Sequence, residues 1–207
     1  MSSPRTLGVL LFEGFELLDV FAPCEAFGIR DLDGAFRLAM VAAKARSIAS
    51  AQGPRAVAEF GFDDCPPLDV ILVPGGIGTR REVGNDALIS WLRARSETAE
   101  LVTSVCTGAG LLARAGLLDG RRATTNKRSF AWVESQGPHV NWVKQARWVE
   151  DGKFATSAGV SAGIDMALAI IARLVSHEKA DQAANAMEYE WHRDPGWDPF
   201  ARIYGLV

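Results

Sequence analysis

Cysteine and histidine are both scarce in this chain, with three of each among 207 residues. Cys24, Cys65 and Cys106 are an odd number, widely separated, and no two of them form a CxxC. Neither a disulfide framework nor a thiolate metal site is therefore expected. His139, His177 and His192 show no HExxH-type spacing, so no structural or catalytic metal is expected either. Positive charge is not in excess: the formal net charge is −3, which leaves no basic field to hold a nucleic-acid backbone. Long apolar runs are missing as well. The longest, residues 164–175, contains Asp165 and Arg173 and falls short of a membrane span. The apolar stretch 7–12 is too short for the core of a signal peptide, and no small-residue cleavage site follows it. These absences predict a cytoplasmic chain acting on a small molecule, with no nucleic-acid or membrane partner, no metal and no cofactor.

What is present has an ordinary globular balance, 48% hydrophobic and 23% charged, and enough length for one domain whose sheet is covered on both faces. Residues 6–12, 36–43, 68–73 and 101–105 read as strands, the first a near-continuous apolar run of the kind buried on both sides. Helical spacing marks 17–29, 85–99, 107–115, 161–175 and 178–190, with a short strand at 122–125 and a short helix at 129–135. Pro23 is placed in the first turn of the 17–29 helix, and Gly116 closes the one at 107–115. Residues 141–149 and 153–157, joined at Asp151-Gly152, read as a hairpin. Strands alternating with helices predict a single α/β domain over 1–207, a mainly parallel sheet with helices on both faces. It ends in an irregular tail, 191–207, where Trp191 and Trp197 are expected to pack on the domain or across a dimer together with His192. Ligands in such sheets bind beyond the carboxyl ends of the strands, which singles out the loops 13–19, 74–78 and 106–110.

The segment Val102-Thr103-Ser104-Val105-Cys106-Thr107-Gly108 carries the most chemistry. An apolar strand ends at Cys106 and a helix begins with no loop between, and the small Ser104 and Gly108 flank the cysteine at minus two and plus two. A nucleophile elbow requires small residues there because its turn is too tight for larger ones. The helix terminus below the sulfur is expected to ease ionisation of the thiol. Cys24, on an apolar helix face, and Cys65, in Asp63-Asp64-Cys65-Pro66-Pro67, read as buried structural residues. Pro74-Gly75-Gly76-Ile77-Gly78 lets backbone approach a ligand closely but lacks the signatures of a phosphate or dinucleotide loop.

Taken together these blocks resemble the ThiJ/PfpI superfamily and, within it, the isocyanide (isonitrile) hydratases. The resemblance is carried by Leu11-Phe12-Glu13-Gly14-Phe15-Glu16-Leu17-Leu18-Asp19, by Val73-Pro74-Gly75-Gly76, by the cysteine segment, and by Gly116-Leu117-Leu118-Asp119-Gly120 running on to Thr124-Thr125. Phe62 to Val70 and Gly159-Val160-Ser161-Ala162-Gly163-Ile164-Asp165 complete it, so that it extends from Thr6 to about Glu190. It implies a flavodoxin-like sandwich, usually a homodimer, with Cys106 as nucleophile and Asp19 leaning over it as the acidic partner. It further implies that the N–H groups of Gly76 and Thr107 face the reacting group, with Gly75 beside them and the Thr107 hydroxyl nearby. One departure matters: many relatives carry a histidine directly after the cysteine or in a Thr-Thr-His segment, where this chain has Thr107 and Asn126. A Cys-His pair is thus missing from either motif, which argues against a protease or amidase and leaves Asp19 as the proton-transfer group, with Glu16 as the fallback acid.

The implied activity is that of a hydro-lyase. Cys106 adds to the terminal carbon of an isocyanide, Asp19 supplies the proton, and water converts the thioimidate to an N-substituted formamide. Asp19 and Cys106 are expected to share protons as a coupled pair, and Asp165 to serve as a first-turn acid rather than a reagent. The alternatives are a redox sensor or ligand-binding module, and a glyoxalase- or deglycase-like enzyme. Regulators with this domain append a helix-turn-helix region for which the stretch after Glu190 is too short, so direct DNA binding is not expected.

Overall fold

The apolar runs of the sequence assemble into one six-stranded sheet between two groups of helices, described for residues 3–207 in a computed structural model. In chain order the first half comprises β1 (Arg5–Leu10), α1 (Leu17–Gly28), β2 (Phe36–Val41), β3 (Ser47–Ala49), β4 (Arg55–Val57), β5 (Val70–Val73), α2 (Thr79–Glu82) and α3 (Asp86–Thr98). The second half comprises β6 (Leu101–Ser104), α4 (Gly108–Arg114), β7 (Arg122–Ala123), α5 (Phe130–Gln136), β8 (Asn141–Trp142), β9 (Trp148–Asp151), β10 (Phe154–Ser157), α6 (Ala162–Leu174), α7 (His177–Ala186) and α8 (Phe200–Ile203). The sheet order is β2-β1-β5-β6-β10-β9, parallel throughout except for the antiparallel edge strand β9. α1, α6 and α7 pack together as one helical layer, and α3, α4 and α5 as the other. With both faces covered, β5, β6 and β10 bury every side chain, and β5 is apolar throughout, Val-Ile-Leu-Val.

Strand order reverses beside β1: the chain steps from β1 to β2 on one side and reaches β5 on the other. The loops leaving β1 and β5 therefore diverge at the carboxyl edge of the sheet, the place where an open α/β sheet forms a crevice. They do not stay apart. Glu16 N–H donates to Gly75 O at 2.8 Å and Gly78 N–H to Gly14 O at 3.0 Å, sewing the two loops into one wall. Gly76 is required for this closeness. Its φ is +118°, and a Cβ there would collide with the Gly14 carbonyl and the Glu16 nitrogen.

Several local expectations are corrected. Pro23 lies in the middle of α1, not its first turn, and is buried at the contact with α6. The strand expected over 141–149 is broken. β8 pairs with β7, and the chain then turns aside because Ala146 O accepts from Lys127 Nζ at 2.9 Å and Arg147 N–H donates to Pro195 O at 2.7 Å. The helix expected to run to Glu190 stops at Ala186: Glu188 takes φ +49°, and Tyr189 N–H returns to Ala184 O at 2.9 Å, a Schellman ending. The tail is not wholly irregular, since it holds α8. Trp191 packs against the core there, whereas Trp197 stacks on His192 with ring centroids 4.2 Å apart and stays partly exposed. The small β3–β4 ribbon and the one-turn α2 have no counterpart in the sequence reading. No helix among the described residues is long and apolar enough to cross a membrane.

Candidate active site

Cys106 sits where β6 gives way to α4, with φ +57°, a left-handed conformation that costs a non-glycine residue about 1–2 kcal/mol. The strain persists because both backbone groups are tied down. Cys106 N–H donates to Ala158 O at 3.2 Å, and Cys106 O accepts the Thr125 hydroxyl at 2.7 Å. Gly108 is the small residue the turn needs, since a Cβ there would strike the Val73 carbonyl. The thiol is only 6% exposed, and it opens onto a cleft of about 420 Å³ rimmed by Glu16, Ile77, Arg80, Asn126 and Arg128.

Asp19 lies in the first turn of α1, fully buried. Its Oδ2 accepts the Gly75 N–H at 2.8 Å, its Oδ1 is buried without a well-aligned donor, and the side-chain group set against the carboxyl is the Cys106 thiol. Burial pushes the Asp19 carboxyl well above the usual carboxylate range, outweighing the Gly75 N–H that pulls it back. Burial also pushes the Cys106 thiol well above its usual range, with the Asp19 carboxyl adding to the effect and the Thr107 N–H and hydroxyl opposing it. Both pushes run against the easier ionisation expected from the helix terminus. α4 is only seven residues long, and its end cannot offset a dehydrated sulfur facing an acid.

The glycine loop plays a different part from the one expected. Gly75 N–H is committed to Asp19, and Gly76, which lines the cleft with Cys106, donates its N–H to Thr107 Oγ1 at 3.0 Å. Thr79 donates to Gly76 O at 2.7 Å and lies 3.1 Å from Thr107 Oγ1, so a hydroxyl pair backs the sulfur. Thr107 itself is 3% exposed; its hydroxyl donates to Gly76 O at 3.3 Å, and its N–H and hydroxyl act against the rise of the Cys106 thiol. Glu16 stands on the cleft rim, hydrogen-bonded to Gln52. Cys24 and Cys65 lie away from the cleft, buried, and burial pushes the Cys24 thiol up to about 12.

Sequence reasoning missed Thr79, Thr125 and Arg80. Thr125 could not be told from Thr124 by composition. Both lie just past β7, and their hydroxyls take different partners, Thr124 to Val143 O at 2.8 Å and Thr125 to Cys106 O at 2.7 Å. No group of three or more potential ligands that could hold a metal exists among the described residues.

The chain is similar to known proteins in sequence and in fold. The chain is 34% identical to the isonitrile hydratase of Pseudomonas putida over 88% of its own length and 78% of that protein's. It is 28% identical to the HTH-type transcriptional regulator GbdR of Pseudomonas aeruginosa, over 91% of its own length but about half, 52%, of the regulator's. Among solved structures, a ThiJ/PfpI family protein from Pseudomonas syringae superposes with a TM-score of 0.84 at 29% identity, covering 95% of this chain and 78% of the other. The sequence profile of the DJ-1/PfpI family matches residues 5–173, and with a relative above 30% identity over most of both chains this makes the protein a member of the DJ-1/PfpI family.

Proposed function

We propose that the protein is a cysteine-dependent isonitrile hydratase. The observation that carries this reading is the pairing of a strained, cleft-facing thiol with a buried acid that has no counter-cation among the described residues, Cys106 with Asp19. An isocyanide carbon needs both groups at one atom. The sulfur bonds to the terminal carbon while a proton arrives at that same carbon, so S–H is exchanged for S–C and C–H. Asp19 relays the thiol proton to the carbon, giving the thioimidate Cys106-S-CH=N-R. Water then adds across the C=N bond. The tetrahedral adduct collapses to the N-substituted formamide, and the sulfur leaves and regains its proton through Asp19. Thr107 holds the sulfur during both steps, and Gly75 and Gly76 hold Asp19 and Thr107.

Two further features favour this over other chemistry. No histidine borders the cleft among the described residues, so the acid–base work of an amidase has no imidazole to perform it. A peroxide sensor works through an ionised sulfur, and here burial first and Asp19 second push the thiol up, against ionisation. A homodimer belongs to the same reading: Leu18, Phe200 and Tyr204 line one cavity beside the site and are 43%, 43% and 48% exposed, an apolar face that a second copy would cover. The decisive experiment is incubation with an alkyl isocyanide, following N-alkylformamide by NMR and the enzyme by mass spectrometry. Formamide is expected from the native chain, with an adduct of the isocyanide's mass confined to Cys106, and none from Cys106→Ser. Absence of formamide from the native protein, or turnover by Cys106→Ser, overturns the reading.

A further inference from the structure

Two guanidinium groups on the rim of the thiol cleft, Arg80 and Arg128, have no carboxylate partner among the described residues, although their sequence neighbours do. Arg81 pairs with Glu82 at 2.6 Å, and Lys127 with the buried Asp198 at 3.1 Å. Arg80 is nonetheless held in place. Its guanidinium lies over the Trp132 ring, 3.9 Å from the centroid, and reaches Ser129 Oγ at 3.1 Å and Thr79 Oγ1 at 3.4 Å. The one acid on the same rim, Glu16, is turned to Gln52. A chain of net charge −3 therefore keeps two unmatched positive charges at the mouth of the cleft that leads to its reactive sulfur.

We propose that Arg80 and Arg128 form an anion subsite, and that the substrate carries a carboxylate close to its isocyano group: an isocyano-carboxylate in preference to a neutral alkyl isocyanide. A guanidinium presents paired N–H donors whose spacing fits a carboxylate, and stacking on Trp132 fixes the plane of Arg80 before the ligand arrives. The cleft of about 420 Å³ leaves room for a small carboxylate between the two arginines and the sulfur. The substrate class rests on the hydratase reading; the charge preference of the cleft does not.

Alkylation of Cys106 by iodoacetate and by iodoacetamide tests the charge preference without any isocyanide. In both reactions the sulfur displaces iodide from a CH₂ carbon, S–C forming as C–I breaks, and the reagents differ in carrying a carboxylate or an amide. The ratio of the two rates, measured at Cys106 by peptide mass spectrometry at one pH, cancels the fraction of ionised thiol. The native ratio of iodoacetate to iodoacetamide is expected to exceed that of the urea-unfolded chain by about tenfold, the scale of one charge-assisted contact. Arg80→Gln and Arg128→Gln should each lower it, and Arg80→Lys should restore part. A native ratio equal to the unfolded one, or an Arg80→Gln that slows both reagents alike, overturns the subsite. In the second arm, kcat/KM for isocyanoacetate is compared with that for its ethyl ester. A preference for the acid that Arg80→Gln removes supports the substrate class, and a preference for the ester overturns it. If neither compound is turned over while the alkylation ratio stays high, the hydratase reading fails and the anion subsite stands.

Discussion

Asp19 and Asp165 are both fully buried and both lie in the first turn of a helix, yet their surroundings have nothing else in common. Asp165 is saturated. Its Oδ2 lies 2.5 Å from Arg147 Nε, both oxygens lie 3.1 Å from the Tyr189 hydroxyl, and Oδ1 accepts the His192 N–H at 2.9 Å. These contacts pin α6, the start of β9 and the C-terminal tail to one point. Asp19 has a backbone N–H, a thiol and, among the described residues, no cation. Burial alone does not make an acid reactive. What separates a fastener from a reagent is whether the dehydrated charge has been answered by an opposite one.

The sharpest way to break this contrast is to replace each carboxylate by the amide of the same shape. Asp19→Asn should leave the fold intact, because the amide keeps the carboxyl's shape and its oxygen can still accept the Gly75 N–H. Formamide production should nevertheless drop by about 10²–10⁴-fold, the usual contribution of a positioned acid or base. Isocyanide turnover measured alongside a urea denaturation curve checks both halves. Native-like turnover, or a collapse of stability, would place Asp19 with the fasteners.

Asp165→Asn should do the reverse. It strands the Arg147 guanidinium, 5% exposed, without its counter-charge, and the loss of one partner from a buried pair costs about 3–5 kcal/mol. Urea unfolding gives this directly, and the tail, which His192 and Tyr189 anchor to Asp165, should become the first segment open to protease. A change below about 1 kcal/mol, the range of an exposed pair, would contradict the assignment.

The same contrast marks how far the sequence could be read. Strand and helix identity was legible where burial writes a period into the chain, as in β1, β5 and α6. The elbow was legible because its constraint is local: Ser104 and Gly108 must be small whatever the rest of the fold does. Breaks imposed by distant partners were not legible. Residues 141–149 look extended, but Lys127 and Pro195, far away in sequence, take the hydrogen bonds a strand would have used. Roles that depend on the balance of charges were hidden for the same reason. Asp19 enters through resemblance, and the upward push on its carboxyl comes from burial that no residue spacing encodes. The direction of the Cys106 shift was misjudged because a helix terminus can be seen in the sequence whereas dehydration cannot. The unmatched charges of Arg80 and Arg128 emerge only once the partners of Arg81 and Lys127 are known.

The smallest effect discriminates best, because it separates two roles for Asp19 that turnover cannot. The Cys106 thiol is raised by burial first and by the facing carboxyl second, so both act against the thiolate. A group whose folded value lies above its unfolded one stabilises the fold below the unfolded value, about 8.5 for cysteine, and that contribution disappears as pH rises through the folded value. Stability should therefore decline on the alkaline side, and Cys106→Ala should flatten the decline in part, since Cys24, raised to about 12, contributes with the same sign. In Asp19→Asn the negative neighbour is gone. The pH midpoint for alkylation of Cys106 by iodoacetamide should move downward, remaining above that of the unfolded chain because burial persists. At fixed pH below the midpoint this variant should thus alkylate several times faster than the native protein while hydrating isocyanide far more slowly. Were Asp19 merely a base that prepares the thiolate, the two rates would fall together. Opposite movement is expected only if its task is to deliver a proton to the carbon that the sulfur attacks.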